Sequence, residues 1–447
     1  TADFSKQIGA HRFSALAGYS YIDWENYGSE ITNYDFPTDQ FSYHSIEQGR
    51  ALRNEQPNSG VDSYRSDWKL IGFFGRVGYG FNDRYNFLAS VRYEGSSRFG
   101  DNNKWGLFPA FSAGWTISKE SFLEEASFIS NLKMRVGYGR TGSISSDPYQ
   151  SLTRYAYSST QFYFNGSEWV SILSPESNPN PNLGWETNIE YNVGLDFGLM
   201  NDRITGTIDY YDRTLEDLVY DYPVPVPPNQ YTSTGANAAS MTNKGIEVSL
   251  NLVPIRKDKF EWTTNLNYSR NTNELKSLSN EEFQLENDFI YTGYTGDPIQ
   301  LSTHKVEAGH PIGSFYGFKS MGLEEDPEKP GWGNWLIEGA DGEEKLLTDA
   351  TDDDRQILGN GLPTWYASWN NYFRYGNIDL SITMRGAFDY QILNYQRMFY
   401  ENPNIIYNRL ESAFDQIDGL YLNSPQSYVS HYIEDGDFWK RQPIWRL

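Results

Sequence analysis

The chain has 447 residues and a formal net charge of −23 at neutral pH, which argues against nucleic acid and other polyanions as partners, because a phosphate-binding surface needs an excess of Lys and Arg. It has no cysteine, which removes disulfides, thiol catalysis and zinc-thiolate sites together. No stretch approaches the roughly 18 consecutive apolar residues of a membrane helix, and the mean hydropathy is −0.65, yet 16 % of residues are aromatic. A transmembrane β-barrel reconciles these numbers, since only alternate residues meet lipid and aromatic girdles ring both interfaces. Composition alone leaves a large soluble β protein as the alternative.

In chain order, residues 11–24 alternate and predict a strand, and the polar residues 25–67 predict a long loop. Three runs follow between residues 71 and 118. In the second, Tyr85, Phe87, Ala89, Val91 and Tyr93 fall on one face and Asn86, Ser90, Arg92 and Glu94 on the other, because side chains switch sides at every residue. Each run is about ten or more residues long, enough for a tilted strand to cross a bilayer. Asn82-Asp83-Arg84 joins the first two runs, and residues 100–103 separate the second from the third, so the three should be adjacent antiparallel strands. The spacing of Phe122, Leu123, Ala126 and Phe128 predicts a short helix over 119–130. Residues 132–142 return to the strand pattern, and 143–183 form a second long loop ending in NPNPNL.

Two hairpins come next. Residues 185–199 and 204–211 flank the turn Asn201-Asp202-Arg203, and residues 246–252 and 260–268 flank a turn at 256–259. Between them, 215–243 reads as a third long loop, because its PVPVPP segment cannot sit inside a closed sheet. Long loops thus alternate with tight turns, as in a barrel with one elaborate outer rim and one plain inner rim. Residues 364–375 and 378–388 form a further pair about Gly376-Asn377. Parity then allows zero or two crossings between 271 and 364. Segments 300–306 and 313–321 supply two crossings or form a hairpin within an outer loop. Loops are expected over 322–362 and 390–430, and 431–447 begins an element the chain does not finish. The count is about twelve to fourteen strands. No export signal is visible at Thr1, so the mature or complete chain is expected to start elsewhere.

Several long strings resemble one family. They are FFGRVGYGFNDRYNFLASVRYEGSSRFGDNNKWGLFPAFSAGWTIS, LKMRVGYGRTGS, NPNPNLGWETNIEYNVGLDFGLMNDRITGTIDYYDR and MTNKGIEVSLNL, then VEAGHPIGSFYGFKSMGL, TDDDRQILGNGLPTWYASWNNYF and YIEDGDFW. In this order they resemble the SusC/RagA-like TonB-dependent outer-membrane transporters of Bacteroidetes. The resemblance implies a 22-stranded antiparallel barrel with an N-terminal plug, a SusD-like surface lipoprotein as lid, and energy from TonB-ExbB-ExbD. On this reading residues 1–447 are a partial barrel domain, without plug or last strands, and the ligand is an oligosaccharide or oligopeptide imported across the outer membrane. A passive porin and an adhesion or scaffold barrel are the rival readings. Where relatives carry an aspartate- and glycine-rich run, this chain has Leu347-Thr348-Asp349-Ala350-Thr351. Asp349, Asp352, Asp353 and Asp354 do not keep the alternate spacing of a calcium loop, so no metal and no cofactor are expected.

Chemistry-bearing patterns are sparse. His11, His44, His304, His310 and His431 are scattered, and pairs such as Glu124-Glu125 or Glu281-Glu282 point to opposite faces of any strand, so no catalytic residue is assigned and no enzyme is expected. Gly137 and Gly139 alternate within a strand and are not a nucleotide fingerprint. For ligand contact the candidates are Trp169, Trp332 and Trp335, flat aromatic faces in loops where no lipid girdle is needed. Tyr155, Tyr157, Phe162, Tyr163 and Phe164 form a second aromatic cluster, which packing among loops or against the lid would also explain.

Overall fold

The computed structural model describes residues 1–41, 44–285, 287–297, 299–402, 405–415, 417–423 and 430–446. Thirteen strands form one antiparallel sheet in chain order: β1 (Ala2–Ile8), β2 (His11–Thr32), β3 (Gly60–Phe81), β4 (Tyr85–Ser96), β5 (Trp105–Thr116), β6 (Ile129–Ser143), β7 (Glu186–Leu199), β8 (Ile204–Pro223), β9 (Ser233–Lys257), β10 (Phe260–Ser277), β11 (Trp365–Tyr375), β12 (Ile378–Phe388) and β13 (Phe438–Arg446). β1 and β13 are its two edges. The tight turns are built by residues that tolerate positive φ. Asn82 and Asp83 sit at 56° and 52°, and Asn201 and Asp202 at 56° and 60°, the conformation that a two-stranded turn with right-handed twist requires.

Register gives the sheet two unlike faces. On one, Ala15, Val77, Ala89 and Phe111 lie side by side across β2 to β5, flanked by aromatic rows. His11, Phe81, Tyr85 and Trp115 form the row at the tight-turn end, with successive centroids 4.9, 6.5 and 6.5 Å apart. Toward the other end, Tyr19 lies 5.3 Å from Phe73, and Trp105 lies 4.8 Å from Tyr93. At about 3.3 Å per residue, Phe73 to Phe81 spans roughly 26 Å, the height of the apolar band of an outer-membrane barrel. The opposite face is polar.

The predicted loops and helix change, one strand is added, and one open alternative is settled. The predicted loop over 25–67 gives way to strand at both ends, and most of that over 215–243 is strand: β2 runs on to Thr32, β3 starts at Gly60, and β8 and β9 extend to Pro223 and from Ser233. At 22 residues, β2 and β3 reach roughly 70 Å, well beyond a bilayer. Past the apolar band alternation is no longer required, so the hydropathy signal stops while hydrogen-bonded pairing continues. β1, which the sequence reading did not assign, pairs with β2 from Ala2↔Ala17 to Ile8↔His11. The helix predicted over 119–130 is two 3-10 turns, Ile117–Lys119 and Ser121–Leu123. Between them Glu120 is extended, and its carboxylate accepts from Tyr85 Oη at 2.6 Å and Trp115 Nε1 at 3.0 Å. Finally, parity resolves to zero crossings, because β10 pairs directly with β11.

The intervening segments build a head, which packs on β9 and β10 where Ile290 and Val306 meet Ala239, Leu275 and Leu278. Phe289–Tyr294, Ser302–Glu307, Ser314–Phe318 and Arg355–Asn360 form one small sheet. Ser320–Glu325, Trp332–Glu338 and Glu344–Leu346 form another, joined in parallel by Tyr421–Leu422 from the following loop. Its core is Ile299, Phe318, Trp335, Ile337, Met398 and Tyr432, so the chain between β10 and β11 shares one hydrophobic centre with the chain between β12 and β13.

Candidate functional site

The polar face of the sheet is where the chain concentrates chemistry. One row across it reads Arg12, Gly80, Asn86, Gly114, Arg135, Gly194 and Asp209. The glycines are beds for long cationic side chains. A Cβ on Gly80 would stand 3.2 Å from Arg12 Nη2, one on Gly114 3.3 Å from Lys133 Cε, and one on Gly194 2.6 Å from Arg135 Nη2. Arg12 donates to Asn86 Oδ1 at 3.0 Å. Arg135 lies between two carboxylates, donating through Nε and Nη2 to Asp196 at 2.8 to 3.1 Å and through Nη2 to Asp209 at 3.1 Å. Such two-sided, charge-assisted bonding fixes the guanidinium plane. Arg92 is likewise locked on Glu94, with Nε 2.7 Å from Oε2. The arrangement is a polar, hydrogen-bonding wall with fixed charges, backed by an apolar face. It offers no nucleophile and base in contact, and among the described residues no three His, Asp or Glu side chains are grouped as metal ligands would be.

Sequence reasoning did not nominate this row. The signal was present, since Lys133, Arg135, Asp196 and Asp209 occupy the polar parity positions of strands whose other positions are apolar. What alternation does not reveal is that strands 74 residues apart in sequence place Arg135 beside Asp209.

The three nominated tryptophans are not brought together. Trp169 is exposed on a hairpin, 5.4 Å from the Phe164 ring. Trp332 is half-buried at the head surface, with Lys329 Nζ 3.1 Å from its ring centroid and Tyr421 at 5.6 Å. Trp335 is only 3 % exposed and belongs to the head core, its ring 5.1 Å from His431. In the strand Trp332–Glu338, positions 333, 335 and 337 are buried while their alternates are not. An odd separation of three therefore puts Trp332 and Trp335 on opposite faces.

The acidic turn is a structural knot. Asp354 is buried and caps the 3-10 turn Asp352–Asp354, accepting from the Thr351 backbone N–H at 2.7 Å, from that of Ala340 at 2.9 Å and from Lys345 Nζ at 2.7 Å. These donors, the ammonium first, hold its carboxyl well below the usual carboxylate range. Burial pushes the His304 and His431 imidazoles down, and at His431 the neighbouring Arg397 acts in the same direction. Burial also pushes the Tyr316 phenol up to about 12. Asp354, His304, His431 and Tyr316 all sit in packed head structure, away from the polar row of the wall.

With this geometry in view, relatives are recognisable. The family model described as TonB dependent receptor-like, beta-barrel, matches residues 1–391. The chain belongs to the TonB-dependent receptor β-barrel family. It is 32 % identical over 401 residues to TonB-dependent receptor P3 of Formosa agariphila, an alignment covering 88 % of this chain and 38 % of that protein. It is 35 % identical over 328 residues to TonB-dependent receptor SusC of Bacteroides thetaiotaomicron, covering 71 % of this chain and 31 % of SusC. The chain thus spans well under half the length of these two TonB-dependent receptors. In fold it superposes on the RagAB peptide importer in its closed-closed state with a TM-score of 0.80 at 23 % identity, over 98 % of this chain and 47 % of that one. The TonB-dependent receptors are a family of receptors, not of enzymes, and their barrel is the architecture to which this thirteen-stranded wall belongs.

Proposed function

We propose that this chain is the barrel wall of an outer-membrane transporter that imports a bulky nutrient, an oligosaccharide or oligopeptide, in a TonB-dependent manner together with a SusD-like surface lipoprotein. The observation that carries the reading is the two-faced wall. An apolar band with aromatic rows suits lipid, and the same strands turn a fixed row of Arg, Lys, Asn and Asp side chains the other way. Family membership supports energised import over passive diffusion, and the RagAB likeness supports the barrel fold.

Of the nominated contacts, Trp332 is the ligand-facing candidate, a ring presented beside Tyr421 and Lys329, whereas Trp335 is enclosed in the head core. The decisive test is uptake of labelled oligosaccharides and peptides by cells carrying the full-length protein, with and without TonB and with a protonophore. Loss of uptake in both treatments is expected. Uptake that continues unchanged would establish a passive pore instead, and absence of any uptake with retained protein binding would favour the adhesion reading. Trp332→Ala should weaken ligand binding several-fold without altering the amount of barrel in the membrane.

A further inference from the structure

The loop between β6 and β7 carries a hairpin that the transport wall does not need. Its strands, Tyr155–Phe164 and Trp169–Pro175, pair with each other and, among the described residues, with no other strand. At its base Glu176 N–H donates to Arg154 O at 2.9 Å, and Tyr231 Oη donates to Pro175 O. The pairing has an irregularity: Phe164 faces Trp169 and Phe162 faces Ser171, but the next partners are Tyr157 and Leu173, then Tyr155 and Pro175. Directly opposed residues share a face. The irregularity therefore keeps Tyr155, Tyr157, Phe162, Phe164, Trp169 and Leu173 on one side. These six are 47–75 % exposed, and Glu168 is the one charged residue between 155 and 175 in a chain that is 21 % charged.

Two physical arguments say that this face is not meant for water. An isolated two-stranded hairpin is marginal at best on its own, and here the described side chains of its apolar side stay about half exposed or more. At about 200 Å² per aromatic side chain, the five rings alone leave roughly 600 Å² open. That is the upper end of the largest patch on an ordinary monomer and near the roughly 800 Å² that each side of a stable protein complex buries. A sugar site would instead set one or two rings among convergent polar groups, whereas these six side chains carry only two phenol hydroxyls and one indole N–H as polar groups of their own. Aromatic enrichment with charge depletion is the signature of an interface centre.

We propose that this hairpin face is the docking surface for a protein partner, namely the surface lipoprotein, with Tyr157 and Trp169 as its anchors. The assignment rests on the transporter reading above. The absence of cysteine from these 447 residues makes the test direct. Tyr157→Cys, Trp169→Cys and, on the opposite face, Tyr163→Cys are placed singly in the full-length protein. Each is labelled with a membrane-impermeant maleimide on whole cells, before and after deletion of the lipoprotein, with the parent protein as background. We expect labelling at 157 and 169 to be at least tenfold slower than at 163 while the lipoprotein is present, and equal to it once the lipoprotein is gone.

Equal labelling at all three positions with the lipoprotein bound would overturn the proposal. So would protection that survives its deletion, which would mean that the chain covers its own hairpin. Protection appearing only on addition of maltooligosaccharides or a tryptic peptide mixture would make the face a ligand surface, and would overturn the proposal equally. Failure of any lipoprotein to co-purify with the full-length transporter would remove the partner itself. That outcome is distinct from a lipoprotein that binds and leaves the hairpin open.

Discussion

The wall and the head of this molecule are made from the same alphabet by opposite rules. In the apolar band of the wall, large side chains point outward in rows while glycine, polar and charged residues line the other face, so almost nothing is enclosed there. In the head, Trp335, Ile337, Met398 and Tyr432 are sealed from solvent, and burial pays in the usual way, by removing apolar area from water. The wall relies on lipid to do for its outer face what the head core does for itself. The contrast teaches that exposure carries opposite meanings in the two regions. Val77, 58 % exposed, is at home against acyl chains, whereas the exposed rings of the 155–175 hairpin stand beyond the apolar band and need a partner.

The largest expected effect tests the head. Trp335→Ala should cost the head about 3–5 kcal/mol, raising hydrogen exchange across 314–360 while the wall strands stay protected. Equal loosening of β2 to β6 would show that head and wall fold as one unit. Next comes the outer face, where Val77→Arg, in the middle of the apolar band, should destabilise the barrel in lipid vesicles by about 2–4 kcal/mol. Ser112→Arg, at the same level but exposed on the polar face, should cost clearly less. A reversed order in urea titrations would mean that the two faces have been exchanged.

A smaller effect is expected inside the wall. Gly194→Ala should press on the Asp209 carboxylate and on the Arg135 guanidinium paired with it and cost about 1–3 kcal/mol, and Arg135→Ala in the same background, which frees both side chains, should relieve much of that penalty. Purely additive losses in the double variant would remove the argument that glycine serves as a bed. The smallest effect is electrostatic and confined to the head. Because the folded pKa of Asp354 lies below its unfolded value, its contribution is complete above the ordinary carboxylate pKa of about 3.9 and is lost as pH falls from there toward the folded value. Head melting should therefore be flat from pH 7 to about 5 and fall below about 4. Asp354→Asn should flatten that acid limb, and an unchanged limb would rule the residue out as its source.

Legibility in the sequence follows the same division. Wall strands were readable wherever a membrane enforced alternation, as in Tyr85 to Tyr93, and unreadable in 25–32 and 60–67, where the strands continue above the bilayer with both faces wet. The NPNPNL string looks like a loop end in the sequence. In the structure it is a strap, with Asn180 Nδ2 donating to Gly235 O at 2.8 Å and Asn178 Nδ2 donating to Tyr231 O and Ser233 O at 2.7 and 2.9 Å. Among the site residues, Trp169 is exposed and its ring lies against Phe164, a residue of the second aromatic cluster, a contact that only the hairpin pairing reveals. Trp335 was not separable from Trp332 until strand register was fixed, because a loop assignment carries no inside and no outside.

By itself the amino-acid sequence determined the fold class, the parity of turns and loops, and which face of most wall strands meets lipid. Those properties follow from a two-residue period imposed by a solvent that changes from lipid to water across one layer of strands. The tertiary structure alone decided the zero crossings between β10 and β11, the shared core of two distant loops, and the meeting of Arg135 with Asp196 and Asp209. It also decided the irregular pairing that gathers the hairpin's rings on one face. Each of these depends on register between segments far apart in sequence, and a slip of one residue reverses every side chain in a strand.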